Sequence, residues 1–334
     1  MGHMPSRDDL LKMPKVELHV HLEGSIRPET LLKLARRHGE VLPADDVPSL
    51  REWYRFRDFP HFVDVYVAIS KCIRTPEDLE LVAREFLEGQ AEQNILHSEV
   101  TFTASTIEKH VGIPVSEQME ALHRAVHYGR EKLGVSMLLI LDIVRGDPVE
   151  RAHQVAEWCL EYRDLGVCAL GLAGEERLGT AVYAPVFDFA QANGLPIITH
   201  AGETCGPEVV ADCLQYANAT RIGHGVRSLE NPRVVEQLRD KQVPIEVCPS
   251  SNVCLGVFPS WDAHPLKKMM DAGLYVTLNS DDPPMFDTTL TDEFVRARNT
   301  FGFSMEDCRA MVDRAARASL LPEVELNLLL ERIA

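Results

Sequence analysis

A chain of 334 residues, 45% hydrophobic and 25% charged, has apolar mass for a large core, in one big α/β domain or two modest ones. Its 51 acidic residues against 34 basic ones leave a formal charge of −17, which repels nucleic-acid backbones and anionic membranes and favours a small neutral or cationic substrate. No apolar run approaches the ~20 residues of a membrane span, no signal-peptide layout opens the chain, and the cysteines are scattered without a C-x-x-C pair. The expectation is a cytoplasmic protein with free thiols.

Gly2-His3 between Met1 and Met4 reads as a cloning remnant, so His3 is set aside. The first element is Val16-Glu17-Leu18-His19-Val20-His21-Leu22-Glu23-Gly24. On an extended strand residues i and i+2 share a face, so His19 and His21 can reach one cation while Leu18, Val20 and Leu22 pack, and Gly24 lets the chain turn. Alone, a His-x-His pair equally suits two partly buried histidines bonded to backbone. A helix through Leu31, Leu32, Leu34 and Ala35 follows, stopping at Gly39. Then comes an aromatic insertion, Trp53 to Phe62, which suits either core packing or a substrate lid, and helical patterns over 63–72 and 76–93.

Beyond it, strands at 95–102, 135–144, 167–172, 195–200, 221–224, 243–248 and 274–280 alternate with helical patterns. About eight strands, each followed by a helix, define a (β/α)₈ TIM-type barrel, with extra helices after the first strand and a helical tail from Thr291. Without a linker or internal repeat, residues 1–334 read as one domain.

Barrel enzymes carry their chemistry at the C-terminal strand ends. There stand His19 and His21 on strand one, His200 on strand five with Glu203 beyond it, His224 on strand six, and Asp281-Asp282 after strand eight. Each has an ordinary explanation as a core histidine, a helix-start acid or a turn. Together they suit a zinc-like divalent ion with a position left for water. His38, His97, His110, His123, His127 and His153 read as surface or packing residues, and His61 stays open. Phosphate-cradling glycine loops are absent, and His21-Leu22-Glu23 lacks the Pro-Cys-x-x-Cys partner of the cytidine-deaminase zinc signature.

The stretches Val16 to Gly24, Leu172-Ala173-Gly174-Glu175-Glu176, Thr199-His200-Ala201-Gly202-Glu203, Ile222-Gly223-His224-Gly225, Cys248-Pro249-Ser250-Ser251-Asn252 and Asn279-Ser280-Asp281-Asp282-Pro283 resemble the adenosine deaminase family of the amidohydrolase superfamily. The resemblance implies one Zn²⁺ per chain, held by His19, His21, His200 and Asp281, and a water on it as nucleophile. It also implies catalytic roles for Glu203, His224 and Asp281: Glu203 protonates purine N1, and His224 orients and stabilises the attacking oxygen. The substrate-binding set it implies is His21, Glu23, Gly174 and Asp282, with Asp282 at N7, Gly174 at N3 and Glu23 at the sugar end. The reaction implied is deamination at C6 of an adenosine-like nucleoside, adenosine or 6-amino-6-deoxyfutalosine, with adenine itself as the alternative. Glu23 and Thr101-Phe102-Thr103-Ala104 both depart from the adenosine-specific pattern at the sugar half. Another metal-dependent amidohydrolase, or a barrel used only for binding, are the competing classes. The first lacks a lysine after strand four, where Leu172-Ala173-Gly174 stands, and the second would have shed a ligand or the acid.

Overall fold

Eight parallel strands pair in sequence order. They are β1 (Lys15–His21), β2 (Ile95–Phe102), β3 (Ser136–Val144), β4 (Val167–Ala173), β5 (Ile197–Ala201), β6 (Arg221–His224), β7 (Ile245–Val247) and β8 (Val276–Leu278). The computed structural model describes residues 4–334, so most of the cloning remnant, Met1 to His3, lies outside the described residues. The expected (β/α)₈ barrel is the observed architecture. Its later strands are shorter than the apolar runs suggested: β8 spans Val276–Leu278 instead of 274–280, because Leu274, Tyr275, Asn279 and Ser280 fall outside the residues paired with β7. Among the described residues, no helix is long and apolar enough to cross a membrane.

The ring closes through side chains and a single bridge. Asn279 Oδ1 accepts the backbone N–H groups of Leu18 at 2.9 Å and His19 at 3.1 Å. Beyond it, Asp281 bridges Val20: His21 N–H donates to the Asp281 carbonyl at 2.9 Å, and Asp281 N–H donates to the His19 carbonyl at 3.1 Å. On the other edge of β1 the register slips, with Glu17 opposite Ser98 but Val20 opposite Val100. Three steps along β1 oppose two along β2, and such a bulge re-aims the side chains after it.

Four helices fill the long connection from β1 to β2: Pro28–His38, Val47–Trp53, Phe59–Ser70 and Pro76–Glu92. Asp58 caps the third by accepting the His61 N–H, and Thr75 and Asp78 form a capping box on the fourth. After β8 the tail folds as Leu290–Phe301, Met305–Ala318 and Glu323–Ile333. Apolar side chains of the strands and helices pack into two large buried clusters, one including Val20, Val100, Leu139, Leu172, Leu79 and Leu122 and the other Leu18, Ile222, Val247, Leu278 and Phe294. Inside the barrel the filling is partly ionic. Arg221, fully buried, lies 2.6 Å from Glu99 Oε2, pairs through Nε with Glu246, and donates to the Ala318 carbonyl at 3.0 Å. Burial alone would raise the Glu99 carboxyl, but Arg221, His97 and the Leu320 N–H together hold it down at about 2.

Of the surface and packing readings given to His97, packing is the one observed: it is fully buried on β2, its Nε2 is 3.5 Å from Glu99, and its Nδ1 meets Ser136 Oγ at 2.8 Å.

Removing one partner of a buried ion network strands the others in low dielectric, a loss of about 3–5 kcal/mol. Arg221→Leu should therefore lower the unfolding free energy by that much, seen as a lower denaturation midpoint at unchanged slope, whereas Lys267→Ala, which breaks an exposed pair with Asp271, should leave the midpoint nearly unmoved.

Candidate metal-dependent active site

The bulge in β1 turns His19 and His21 toward the end of the barrel where β5, β6 and the segment after β8 deliver His200, His224 and Asp281. Asp281 Oδ1 lies 3.4 Å from His19 Nε2 and 3.3 Å from His21 Nε2. The Nε2 atoms of His21 and His200 face each other at 3.1 Å, and the rings of His19 and His200 meet edge-on at 4.5 Å. One donor atom from each of His19, His200, His224 and Asp281 lies within 4.8 Å of the others. His224 and Asp281 both hold left-handed backbone, with φ of 62° and 66°. That conformation costs about 1–3 kcal/mol at a non-glycine residue and persists where the surroundings over-determine it. Two glycines make the room: a Cβ on Gly223 would sit 2.6 Å from His19 Cε1, and one on Gly24 would sit 1.7 Å from Asp282 Oδ1.

The donor set fits a divalent cation of zinc type. His19 Nδ1 is bound by Glu246 Oε2 at 2.8 Å, leaving Nε2 buried, without a hydrogen-bond partner and aimed at the cluster. His200 donates through Nδ1 to the Leu172 carbonyl at 3.2 Å, which leaves its Nε2 lone pair facing His21. Imidazoles oriented by carboxylate and carbonyl partners, plus one carboxylate, form the ordinary ligand chemistry of zinc. The field around them is strongly negative. Against the opposing effect of burial, Asp281 and Glu246 lift His19 to about 9, while Asp282 and Asp281 lift His21 to about 10. His200, buried beside those two rings, is driven well below the usual histidine range.

The pocket above the cluster is bounded by Phe59, Phe62 and Tyr66 on one side and by Gly174, Glu176, Glu203 and Asp282 on the other. The aromatic insertion packs, with Phe62 stacked on Phe286 at 5.6 Å, and it lines the pocket through Phe59 and Phe62. His61 accepts the Arg57 N–H outside the pocket lining. Glu203 is pushed well above the ordinary carboxyl range by burial first and then by Asp281 and Glu176. Its Oε1 accepts from Asn252 Nδ2 at 3.3 Å. Asp282 keeps a buried Oδ1 without a partner, and burial and Asp281 push it up too. Gly174, at φ 91°, brings backbone to the pocket wall. Glu23 is fully buried behind that wall: its Oε1 accepts the Thr103 N–H at 2.9 Å and its Oε2 the Tyr66 hydroxyl at 3.0 Å.

Sequence reasoning missed Glu246, Arg221, His264 and the contact made by Tyr66, and it quoted Asn252 only within a matching stretch. For Glu246 a signal existed, a carboxylate alone among apolar neighbours in a three-residue strand.

A (β/α)₈ barrel with such a cluster at its strand ends has the architecture of the amidohydrolase superfamily. The chain belongs to the adenosine deaminase family: the family profile, described as "Adenosine deaminase", matches residues 14–334. Among its relatives, an adenine deaminase of Rhizobium rhizogenes is 38% identical over 323 residues, covering 96% of this chain and 99% of the relative. An aminodeoxyfutalosine deaminase of Streptomyces coelicolor is 36% identical, covering 92% and 80%. The solved adenine deaminase of Arthrobacter aurescens superposes with a TM-score of 0.91 at 31% identity, covering 96% of this chain and 98% of that one.

If the cluster holds one ion, chelation should lower the thermal midpoint and one equivalent of Zn²⁺ per chain should restore it. The stabilisation is about 2.7 kcal/mol at a free-metal concentration of 100 Kd. His200→Ala should show no recovery, and elemental analysis should find one ion in the native chain and less than a tenth of that in the variant.

Proposed function

We propose that this protein is a zinc-dependent adenine deaminase, hydrolysing the exocyclic C6–N bond of the free base. The observation that carries the reading is the grouping of a buried acid, Glu203, with an unpartnered acid, Asp282, around a histidine and aspartate cluster in one pocket. Support for the free base over an adenosine-like nucleoside, which led the sequence reading, comes from the relatives and from Glu23. Glu23 is fully buried, is bound by Thr103 and Tyr66, and does not line the pocket, so it is not presented to a sugar hydroxyl there.

A bound divalent ion supplies Lewis acidity that makes water nucleophilic near neutral pH. His19, His21, His200 and Asp281 are the residues that would hold it. The chain's own groups do the rest. Glu203 delivers a proton to N1 as C6 is attacked, Asp282 Oδ1 meets N7, and the Gly174 backbone meets N3. His224 orients the attacking oxygen. Water adds its oxygen to C6, the C6–N bond breaks, and ammonia and a 6-oxopurine leave. The apolar face of Phe59 and Phe62 keeps bulk water off the purine.

Following ultraviolet absorbance with adenine, adenosine, deoxyadenosine, N6-methyladenosine and aminodeoxyfutalosine should place adenine first in kcat/KM; a nucleoside at the head of the ranking overturns the specificity. Glu203→Gln keeps size but not the transferable proton, so kcat should fall by about 10²–10⁴ while the metal content stays at the native level. A variant that retains its rate refutes the acid role. Glu23→Asp is one methylene too short to keep both Thr103 and Tyr66, and it should raise the ratio of adenosine to adenine turnover.

A further inference from the structure

Behind His224 runs a hydrogen-bond chain whose directions are all set by one backbone amide. The Leu266 N–H can only donate, and it donates to His264 Nδ1 at 3.2 Å across Pro265. That nitrogen is therefore a lone pair, and the ring's single proton sits on Nε2. Asn252 Oδ1 receives it at 3.1 Å, which decides which end of the amide is oxygen. Reversed, the amide would set N–H against N–H at His264. Asn252 Nδ2 thus faces His224 Nδ1 at 3.2 Å and Glu203 Oε1 at 3.3 Å. The acceptor at His224 is Nδ1, so its proton is on Nε2, on the side of Asp281 Oδ2, 3.9 Å away. None of this chain can swing freely. Asn252 is fully buried, and His264, 2% exposed, is boxed by Phe258 at 5.1 Å and Trp261 at 6.3 Å.

We propose that His264 and Asn252 are positioning residues that lock His224 in its Nε2–H tautomer, so that His224 presents a hydrogen-bond donor and not a lone pair to the reaction site. Two consequences follow. The tautomer removes His224 from the set of metal ligands, leaving His21 as the fourth beside His19, His200 and Asp281. It also aims an N–H at the space beside Asp281 where an attacking oxygen is held. Through its second amide hydrogen Asn252 fixes one oxygen of Glu203, so a single side chain orients both groups. The catalytic consequence rests on the deaminase reading; the tautomer itself does not.

The test is long-range proton–nitrogen NMR on Zn²⁺-loaded protein labelled with [¹⁵N]histidine, the His224 signals being identified by their loss in His224→Gln. Native protein should show His224 protonated at Nε2 and bare at Nδ1. Asn252→Asp turns an acceptor toward the ring and should move the proton to Nδ1. His264→Phe fills the aromatic box without a donor and frees the amide to turn. It should give mixed tautomers and a kcat on adenine lower by about 10–100-fold, the usual loss for an orienting partner, with KM nearly unchanged. His264→Gln returns an N–H to the same place and should rescue the native tautomer and much of the lost rate. A native His224 protonated at Nδ1, or ligating zinc through Nε2, overturns the proposal, as does a native tautomer in both Asn252→Asp and His264→Phe. Should His264→Phe not fold, the native spectrum and Asn252→Asp decide alone. A native Nε2–H signal in a protein that turns over no 6-aminopurine leaves the lock standing and rejects the deaminase reading.

Discussion

A row of buried charges runs through the barrel, from Glu99 through Arg221 and Glu246 to His19, and the geometry of the histidine and aspartate cluster depends on it. Each member is at most 2% exposed, so none can turn to water for solvation. Charges so placed are tolerated only when paired, and removing any one strands its neighbours. Glu246 divides its two oxygens between Arg221 and His19, which fixes the ring of His19 and turns its Nε2 into the cluster. Arg221 reaches the Ala318 carbonyl, and Glu99 accepts the Leu320 N–H. The C-terminal helical tail is thereby joined to the first strand's His19, which faces the histidine and aspartate cluster. A tail that looks like surplus over the ~250 residues of an ordinary barrel is part of the support of the site.

Above that row the pocket sorts carboxylates by environment. Asp281 and Asp282 are adjacent, both buried, and pushed in opposite directions. The histidines around Asp281 hold it well below its ordinary range, while burial and the charge of Asp281 hold Asp282 well above it. Neighbouring acids separated in this way can take separate roles, one as a permanent anion and the other as a proton-bearing group. The same division recurs between Asp281 and Glu203. One face of the pocket therefore offers negative charge to a cation and another offers acidic hydrogen-bond partners to an aromatic nitrogen heterocycle.

Reading the sequence worked best where one residue type at one structural position carries the message. His19, His21, His200 and His224 stand out because strand ends are few and the barrel maps them onto one rim. Asp281 stands out although it lies beyond the last ladder residue. The insertion Trp53 to Phe62 left core and lid open, and it forms both a packing layer and a pocket wall. What stayed hidden depends on pairings between distant parts of the chain. The partners of Arg221 lie 122 residues before it, at Glu99, and 25 after it, at Glu246, and no local pattern announces that triad. His97 and Glu99 are two residues apart on β2 and share a face, but the sequence did not say that this face carries buried charge. Glu23 was assigned to the sugar end by the family resemblance. Its actual partners, Tyr66 and Thr103, arrive on a helix and a loop 43 and 80 residues later.

The join between the first and last strands has a consequence for how the protein comes into being. Leu18 and Asn279, whose hydrogen bond closes the ring, are 261 residues apart, and Asp281 sits at the same seam. Contacts of such long range carry the largest loop-closure entropy and are the slow ones to form. The histidines of β1 emerge early from the ribosome, but their carboxylate partner follows only when more than four-fifths of the chain has been made. Ring closure and assembly of the cation site are one event, so a chain cut short of β8 would have most of its barrel and none of its complete centre.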